Sequence, residues 1–227
     1  MIYIALIAIL ALLSYLPQLW IRRVMKQNSY EIPEMEGTGG ELAKHLIERF
    51  GLTGIGVEKT DENADHFDPT DQMVRLSPSN YDGKSLKAVA VAAHEVGHAI
   101  QFHRKEEIFK LREKYIPQAI KMRKLGVYVL WASPIFALVL RTPVAIAMPI
   151  LISIVMQIIS AMTYLVVLPE EWDASFGKAL PILREGYVPE EYMPQAESVL
   201  RAAAFTYFAA ALSSMLNLGY LMLLLRR

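Results

Sequence analysis

Apolar residues along this chain are gathered into long runs instead of recurring at regular intervals. The runs cover residues 2–21, 125–140, 142–168 and 202–225. A helix needs about 20 apolar residues to cross the roughly 30 Å hydrocarbon layer of a bilayer, so such runs predict membrane spans. The run at 125–140 is short and contains Pro134. We interpret it, together with the run that follows, as a helical hairpin that crosses the bilayer out and back.

The pattern therefore predicts an integral membrane protein of mainly α class with about four transmembrane helices. It divides the chain into five parts, which are a first transmembrane helix at 1–21, a polar domain at 22–124, a transmembrane hairpin at 125–168, a second polar segment at 169–201 and a last transmembrane helix at 202–227.

Two helices of the polar domain have recognisable start signals. Thr38 followed three residues later by Glu41 is a capping box, and Gly51 is a typical helix stop. Ser85 caps a second helix, predicted at about 85–104. Along that helix apolar residues recur at helical spacing, namely Leu86, Val89, Ala93, Val96 and Ile100.

Shorter signals lie between and after these two helices. Residues 55–58 alternate like a strand, 65–71 are rich in turn formers, and 73–76 resemble a returning strand, so a β-hairpin is predicted. The charged residues 105–124 predict a surface helix that is bent near Pro117. The polar domain is therefore expected to be small and of α+β type.

Charge and composition limit the possible partners and suggest an orientation. The chain has 23 basic and 23 acidic residues, so no basic surface for a nucleic acid is expected. It has no cysteine, which excludes disulfides and thiolate ligands. Arg22, Arg23 and Lys26 directly follow the first apolar run, which predicts a cytoplasmic polar domain, although the terminal Arg226 and Arg227 point the other way.

The second predicted helix of the polar domain carries the motif with the clearest chemistry. His94, Glu95 and His98 form His-Glu-x-x-His. On a helix, residues four apart lie on the same face, so both imidazoles can reach one metal ion. The glutamate then stands beside that ion, where it can take a proton from a water molecule that the metal activates.

A catalytic zinc ion usually has three protein ligands and one open position, so a third ligand is needed. His45 and His103 are most simply surface residues, whereas His66 is a candidate ligand or a contact for the substrate. Carboxylates directly after the predicted hairpin are the better choice because the chain returns there to the side of the motif. The candidates among them are Glu170, Glu171 and Asp173.

With these motifs the sequence resembles the YugP-like neutral zinc metallopeptidases, a family of membrane proteins. The resemblance rests on segments 65–69, 74–77, 88–101, 171–175 and 202–212, of which 88–101 is the most specific. The chain is also distantly similar to the HtpX and CAAX-prenyl endopeptidases, which have a downstream glutamate ligand in a Glu-x-x-Ala-Asp setting. Matching 171–175 to that setting implies Glu171 as the ligand. Ser175 replaces the final aspartate, so Asp173 remains open as a supporting residue or an alternative ligand.

The resemblance implies a small zincin-like domain in a multi-pass plasma-membrane protein with its active site facing the cytoplasm. It further implies a zinc endopeptidase in which His94, His98 and Glu171 hold Zn²⁺ and Glu95 is the general base. Expected partners are a protein or peptide substrate and the lipid bilayer, and the oligomeric state stays open. Two alternatives are an intramembrane protease, disfavoured because the motif lies in a charged segment, and a non-catalytic metal-binding scaffold.

Overall fold

The structure is a computed structural model, and it describes residues 2–214. The chain is mainly helical and has one small sheet of three strands. Before the sheet come α1 (Ile2–Gln27) and α2 (Gly39–Arg49), and the strands are β1 (Gly56–Lys59), β2 (His66–Asp68) and β3 (Met73–Leu76). After it come α3 (Pro78–Tyr81), α4 (Leu86–His103), α5 (Phe109–Leu140), α6 (Pro143–Val166) and α7 (Leu168–Trp172).

The chain from Asp173 onward has an unusual helical geometry. It consists of the π-helical segments π1 (Asp173–Ala179) and π2 (Leu183–Tyr187), with the short α8 (Leu180–Ile182) between them, followed by a 3₁₀ turn (Glu190–Tyr192), α9 (Met193–Ala204) and α10 (Thr206–Ser214). The whole described chain divides into two compact units. We call residues 20–110 and 169–206 the sheet unit, and residues 2–19, 111–168 and 207–214 the hairpin unit.

The predicted start of α2 is confirmed. Thr38 Oγ1 accepts a hydrogen bond from the Glu41 amide at 3.2 Å, and the Glu41 carboxylate accepts one from the Thr38 amide at 2.8 Å. The helix ends where Gly51 has a φ of 61°, a conformation that glycine adopts without strain. The predicted cap of α4 is also present, because Ser85 Oγ accepts from the Ala88 amide at 3.1 Å.

The predicted β-hairpin is wrong in its pairing. β1 pairs with β3 in parallel, and β2, which falls within the residues predicted as a turn, pairs with β3 in antiparallel fashion. The sheet order is therefore β1-β3-β2. The turn is confined to residues 69–72, because the carboxylate of Asp68 accepts from the Thr70 amide at 2.8 Å and so closes a tight loop.

One arginine joins all three strands. Arg75 on β3 pairs with Glu58 on β1 at 2.6 Å and with Asp68 on β2, and it also pairs with Asp71 at 2.6 Å. Strands of three or four residues have few ladder hydrogen bonds, so these ionic contacts help to fix the register of the sheet.

Helix α4 is the centre of the sheet unit. Its residues from Ala88 to Gln101 are all buried, and it packs against α2, β2, β3, π1 and α9. A helix that is enclosed on every side holds its polar side chains in fixed positions, because neither solvent nor free rotation competes.

In the hairpin unit, α5 and α6 run antiparallel. Ser160 Oγ donates to the carbonyl of Ala119 at 2.9 Å, and a side chain at Gly126 would stand 3.2 Å from Met156 Cβ. Helix α5 runs from Phe109 to Leu140 with Pro117 inside it, and the predicted bend at this proline stays a prediction.

Within residues 2–214 one continuous helical stretch, Ala147–Tyr187, is long and apolar enough to cross a membrane, with a mean hydropathy of 2.3 in its most apolar window. The other three spans stay predictions. Of the last one, 202–227, residues 215–227 lie outside the described part of the chain.

Candidate metal centre

Helix α4 presents both histidines of the motif to one point in the interior. His94 and His98 lie one turn apart and are 4% and 1% exposed. Their Nε2 atoms are 3.2 Å from each other. Burying two imidazoles so close together is unfavourable unless they share a proton or a cation, so the arrangement itself indicates a ligand between them.

A carboxylate from the segment after the hairpin completes the group. Glu171 Oε2 on α7 lies 3.4 Å from His94 Nε2 and 3.4 Å from His98 Nε2, and its side chain is 2% exposed. Among the residues that the structure describes, one group of histidines and acids has ligand atoms close enough together for one metal ion. It consists of His94, His98 and Glu171.

The size of this triangle fits zinc. A tetrahedral zinc ion at about 2.0–2.1 Å from each ligand needs ligand atoms that are about 3.3–3.4 Å apart. The three edges measured here are 3.2, 3.4 and 3.4 Å. Three protein ligands also leave the fourth tetrahedral position open, which is the arrangement of catalytic rather than structural zinc sites.

The protonation state of His94 follows from its neighbour. Ser175 Oγ on π1 lies 2.9 Å from His94 Nδ1 and donates its single hydrogen to the carbonyl of Leu200 at 3.0 Å. Because the carbonyl can only accept, the hydroxyl oxygen must accept from His94, and the imidazole proton is on Nδ1. The Nε2 atom of His94 therefore presents a lone pair to the centre of the triangle.

The position of the imidazole proton on His98 follows from the same kind of argument. Gln101 Nε2 donates to the carbonyl of Glu170 at 3.1 Å and to the carboxylate of Asp173 at 2.9 Å. These acceptors orient the amide so that Gln101 Oε1 faces His98 Nδ1 at 3.0 Å, and Glu170 Oε1 is 3.1 Å from the same nitrogen. The proton is on Nδ1 again, and two bare nitrogen atoms and a carboxylate oxygen converge, which is a donor set for a cation.

A glycine inside the motif allows α7 and π1 to come close. A side chain at Gly97 would lie 2.7 Å from the carbonyl oxygen of Ala174 on π1, a distance that no Cβ tolerates. Glycine costs about 1 kcal/mol relative to alanine inside a helix. Here the missing side chain permits the contact that brings Glu171 and Ser175 to α4. The π-helical geometry of Asp173–Ala179 begins two residues after Glu171, and such turns are frequent at functional sites.

Asp173 lies behind the triangle and belongs to an ionic network. Its carboxylate accepts from Gln101 and from Lys178, each at 2.9 Å, and Lys178 also pairs with Glu106 at 3.1 Å. Burial by itself raises the pKa of Asp173, but the hydrogen bond from Gln101 and the ammonium group of Lys178 outweigh it and hold the pKa below its ordinary value. Asp173 is thus an anion that orients Gln101.

Glu95 differs from the other acids of the centre. It is 7% exposed, and no hydrogen bond or ion pair to its carboxylate exists among the described residues. A buried carboxylate normally has a partner. The lack of one within residues 2–214 leaves this group available to a water molecule or a substrate.

The remaining residues named from the sequence lie apart from the triangle. His66 is on β2, where its Nδ1 contacts the carbonyl of Ala64 at 2.7 Å. His45 contacts the Tyr187 hydroxyl at 2.7 Å, and His103 lies 3.4 Å from Thr53 Oγ1. The sequence reasoning did not identify Gln101 as a site residue, although its position three residues after His98 puts it on the same face of α4.

Within residues 2–214 the group consists of two histidines and a glutamate, and such a set with one open position is that of catalytic zinc in metallopeptidases. The chain belongs to the family described as "Putative neutral zinc metallopeptidase", which matches residues 3–226. The "Putative membrane protease YugP" of Bacillus subtilis (strain 168) is 33% identical over 206 residues, which cover 88% of this chain and 87% of that protein. Comparison with solved structures gave no match. The predicted family and the predicted zinc cofactor are thereby confirmed.

Proposed function

We propose that this protein is a membrane-bound zinc endopeptidase in which Glu95 acts as the general base. The observation that carries the proposal is the convergence of His94 Nε2, His98 Nε2 and Glu171 Oε2 on one point, with both imidazole protons held on the opposite nitrogen atoms. Two unprotonated nitrogen atoms and a carboxylate oxygen that face one point suit a divalent cation that keeps one coordination position open.

In this proposal each residue of the centre has one task. His94, His98 and Glu171 hold the ion, while Ser175 and Gln101 fix the two imidazole rings. Zinc, when bound, supplies a Lewis acid that polarises the scissile carbonyl and lowers the pKa of water. Glu95 accepts a proton from the attacking water and delivers it to the leaving amine.

The sheet offers a place for an extended substrate. Among the described strands β2 forms one edge, and it packs on α4 through Phe67, whose ring centroid is 5.4 Å from that of Phe102. We propose that a substrate peptide adds to this edge as a further strand, because backbone hydrogen bonds then hold it in extended form regardless of its sequence. His66, on the same strand, is a candidate contact for that peptide.

The membrane arrangement is also a proposal. We keep the division into 1–21, 22–124, 125–168, 169–201 and 202–227, with about four spans and the metal centre facing the cytoplasm. The apolar helical stretch that begins at Ala147 and the name of the Bacillus relative, a membrane protease, support membrane attachment. The basic residues that follow the first apolar run support the orientation.

The test is a variant series on the full chain purified in detergent, with casein as the substrate and zinc measured by elemental analysis. Glu95→Gln keeps the shape of the side chain and removes the base. We expect it to retain zinc while casein hydrolysis falls by about 10²–10⁴-fold. Glu171→Ala should lose the metal, and Asp173→Ala should retain more of it.

Two results would contradict the proposal. Hydrolysis by Glu95→Gln at the wild-type rate would remove the role given to this residue. Wild-type protein with one zinc per chain and no hydrolysis of casein or of denatured membrane proteins would favour the non-catalytic scaffold.

A further inference from the structure

The hairpin unit carries three cations that are close together in the sequence of α5. Lys121, Arg123 and Lys124 are all exposed and directly precede the apolar residues 125–140. Within residues 2–214 none of the three forms an ion pair or lies over an aromatic ring. Elsewhere in the chain several lysines and arginines have acidic partners, as Lys59, Arg75 and Lys178 do. These three cations are therefore open to a partner from outside the chain.

Two of them border a groove. A cavity of about 520 Å³ is lined by Ile116, Ile120, Lys121, Lys124, Leu125 and Tyr128, together with Pro117. These positions follow one another at spacings of three and four, so they share one face of α5. Its lining comes from this one helix, so it is an open groove along the surface.

This face is turned away from α6. Ala119 and Gly126, which contact α6, are seven residues apart and lie on the same side of α5, while Lys121, Lys124 and Tyr128 lie on the opposite side. The groove is thus not part of the helix-to-helix seam. Tyr128 is 66% exposed and Trp131 is 79% exposed, and exposed aromatic residues after a basic group are typical of the boundary between headgroups and hydrocarbon.

We infer that this groove binds an anionic phospholipid. The ammonium groups of Lys121 and Lys124 would hold the phosphate, and the apolar side chains of Ile120 and Leu125 would lie along the glycerol and the first part of the acyl chains. Charge complementarity carries the choice of partner, because two unpaired lysines beside apolar side chains suit a ligand that is both anionic and apolar. None of these residues belongs to the metal centre, so the inference does not depend on the peptidase chemistry, and it rests on the proposed membrane arrangement.

The experiment is native mass spectrometry of the full chain in detergent, titrated with phosphatidylglycerol or with phosphatidylcholine. We expect wild-type protein to retain phosphatidylglycerol at least tenfold more tightly than phosphatidylcholine. The double variant Lys121→Glu/Lys124→Glu should lose this preference. The control Arg104→Glu/Lys105→Glu makes the same change in net charge at exposed positions of the sheet unit and should keep it.

Folding and competing ions are controlled separately. Each variant should bind zinc like the wild type, since none of the altered residues is a ligand. The neutral variant Lys121→Gln/Lys124→Gln keeps most of the apolar stems and should also lose at least tenfold in affinity for phosphatidylglycerol. Inorganic phosphate at millimolar concentration should fail to displace the lipid. Equal binding of both lipids by the wild type, displacement by phosphate, or no effect of charge reversal would overturn the inference.

Discussion

Ser175 and Gln101, which lie outside the triangle, decide how the imidazoles of His94 and His98 face its centre. Ser175 accepts a hydrogen bond from His94, and Gln101 accepts one from His98. Each acceptor is oriented because it donates a second hydrogen bond to a group that can only accept, the Leu200 carbonyl or the Asp173 carboxylate. The two imidazole rings are therefore fixed in rotation and in tautomer before any ion binds. Such preorganisation raises affinity because little has to be rearranged on binding.

Replacing Gln101 tests this directly. Gln101→Leu keeps the size of the side chain and removes both the acceptor for His98 and the donor to Asp173. We expect the dissociation constant for zinc, measured by competition with a chromogenic chelator, to rise by about 10–100-fold. The matched variant Gln118→Leu changes an exposed glutamine on α5 and should bind zinc like the wild type. Unchanged affinity in Gln101→Leu would mean that His98 needs no such support.

At the scale of elements, the metal centre is a contact between two helices of different type. α4 contributes both histidines, and the continuous helical segment from α7 into π1 contributes Glu171 and then Ser175. These two are four positions apart, so they lie on one face of their helix and both reach His94. The close backbone contact at Gly97 sets how far apart α4 and π1 lie.

Gly97→Ala is the corresponding test. Alanine is the better helix former by about 1 kcal/mol, so helix propensity alone predicts a more stable α4. The added Cβ cannot lie 2.7 Å from the Ala174 carbonyl, so π1 must move away and carry Glu171 with it. We expect at least a tenfold loss of zinc affinity in the chelator competition. As a control, Gly37→Ala meets only the side chain of Glu41, at 3.2 and 3.6 Å, which is not part of the triangle, and it should retain the metal. Tight binding by Gly97→Ala would show that the contact is not limiting.

For the molecule as a whole, the centre links parts of the chain that are far apart in sequence. An ion bound to His94, His98 and Glu171 connects the segment before the hairpin to the segment after it. A ligand that binds only the folded state stabilises it by RT ln(1 + [L]/Kd), or about 4 kcal/mol at a concentration of 1,000 Kd.

Removal of the metal should therefore lower the thermal midpoint of the wild-type chain in detergent by roughly 10 °C, followed by circular dichroism with and without EDTA. His98→Ala should respond little to EDTA because it has already lost a ligand. His103→Ala, a histidine on the same helix but outside the triangle, should respond like the wild type. An equal response of His98→Ala and wild type to EDTA would place the stabilising ion elsewhere.

What the sequence predicted was local. The caps at Thr38 and Ser85 and the helical setting of the motif depend on neighbours within a few residues, and they are confirmed. The direction of the β1–β3 pairing was predicted wrongly and β2 was missed, because strands of three or four residues carry too little pattern to show their direction or number. The contacts of α5 with α6 at Ala119 and Gly126 join separate segments, which periodicity does not report.

The metal centre also has features that the local sequence predicts and features that it does not. The two histidines follow from helical spacing, whereas resemblance was needed to prefer Glu171 over Glu170 and Asp173. The structure puts Glu171 beside both imidazoles, and its role as a ligand remains a proposal. The hydrogen bonds from Gln101 to Glu170 and between Ser175 and His94 join residues that are 69 and 81 positions apart, and the close approach at Gly97 joins the same two segments. No single segment contains them.

The distance in sequence between His98 and Glu171 has a consequence for biosynthesis. A ribosome that adds roughly 5–20 residues per second needs on the order of ten seconds to pass from the one to the other. During this interval α5 and α6 emerge, while the nascent chain holds only two of the three groups that converge on the ion. Under the proposed function, the nascent chain therefore lacks a complete metal centre until the hairpin has been synthesised.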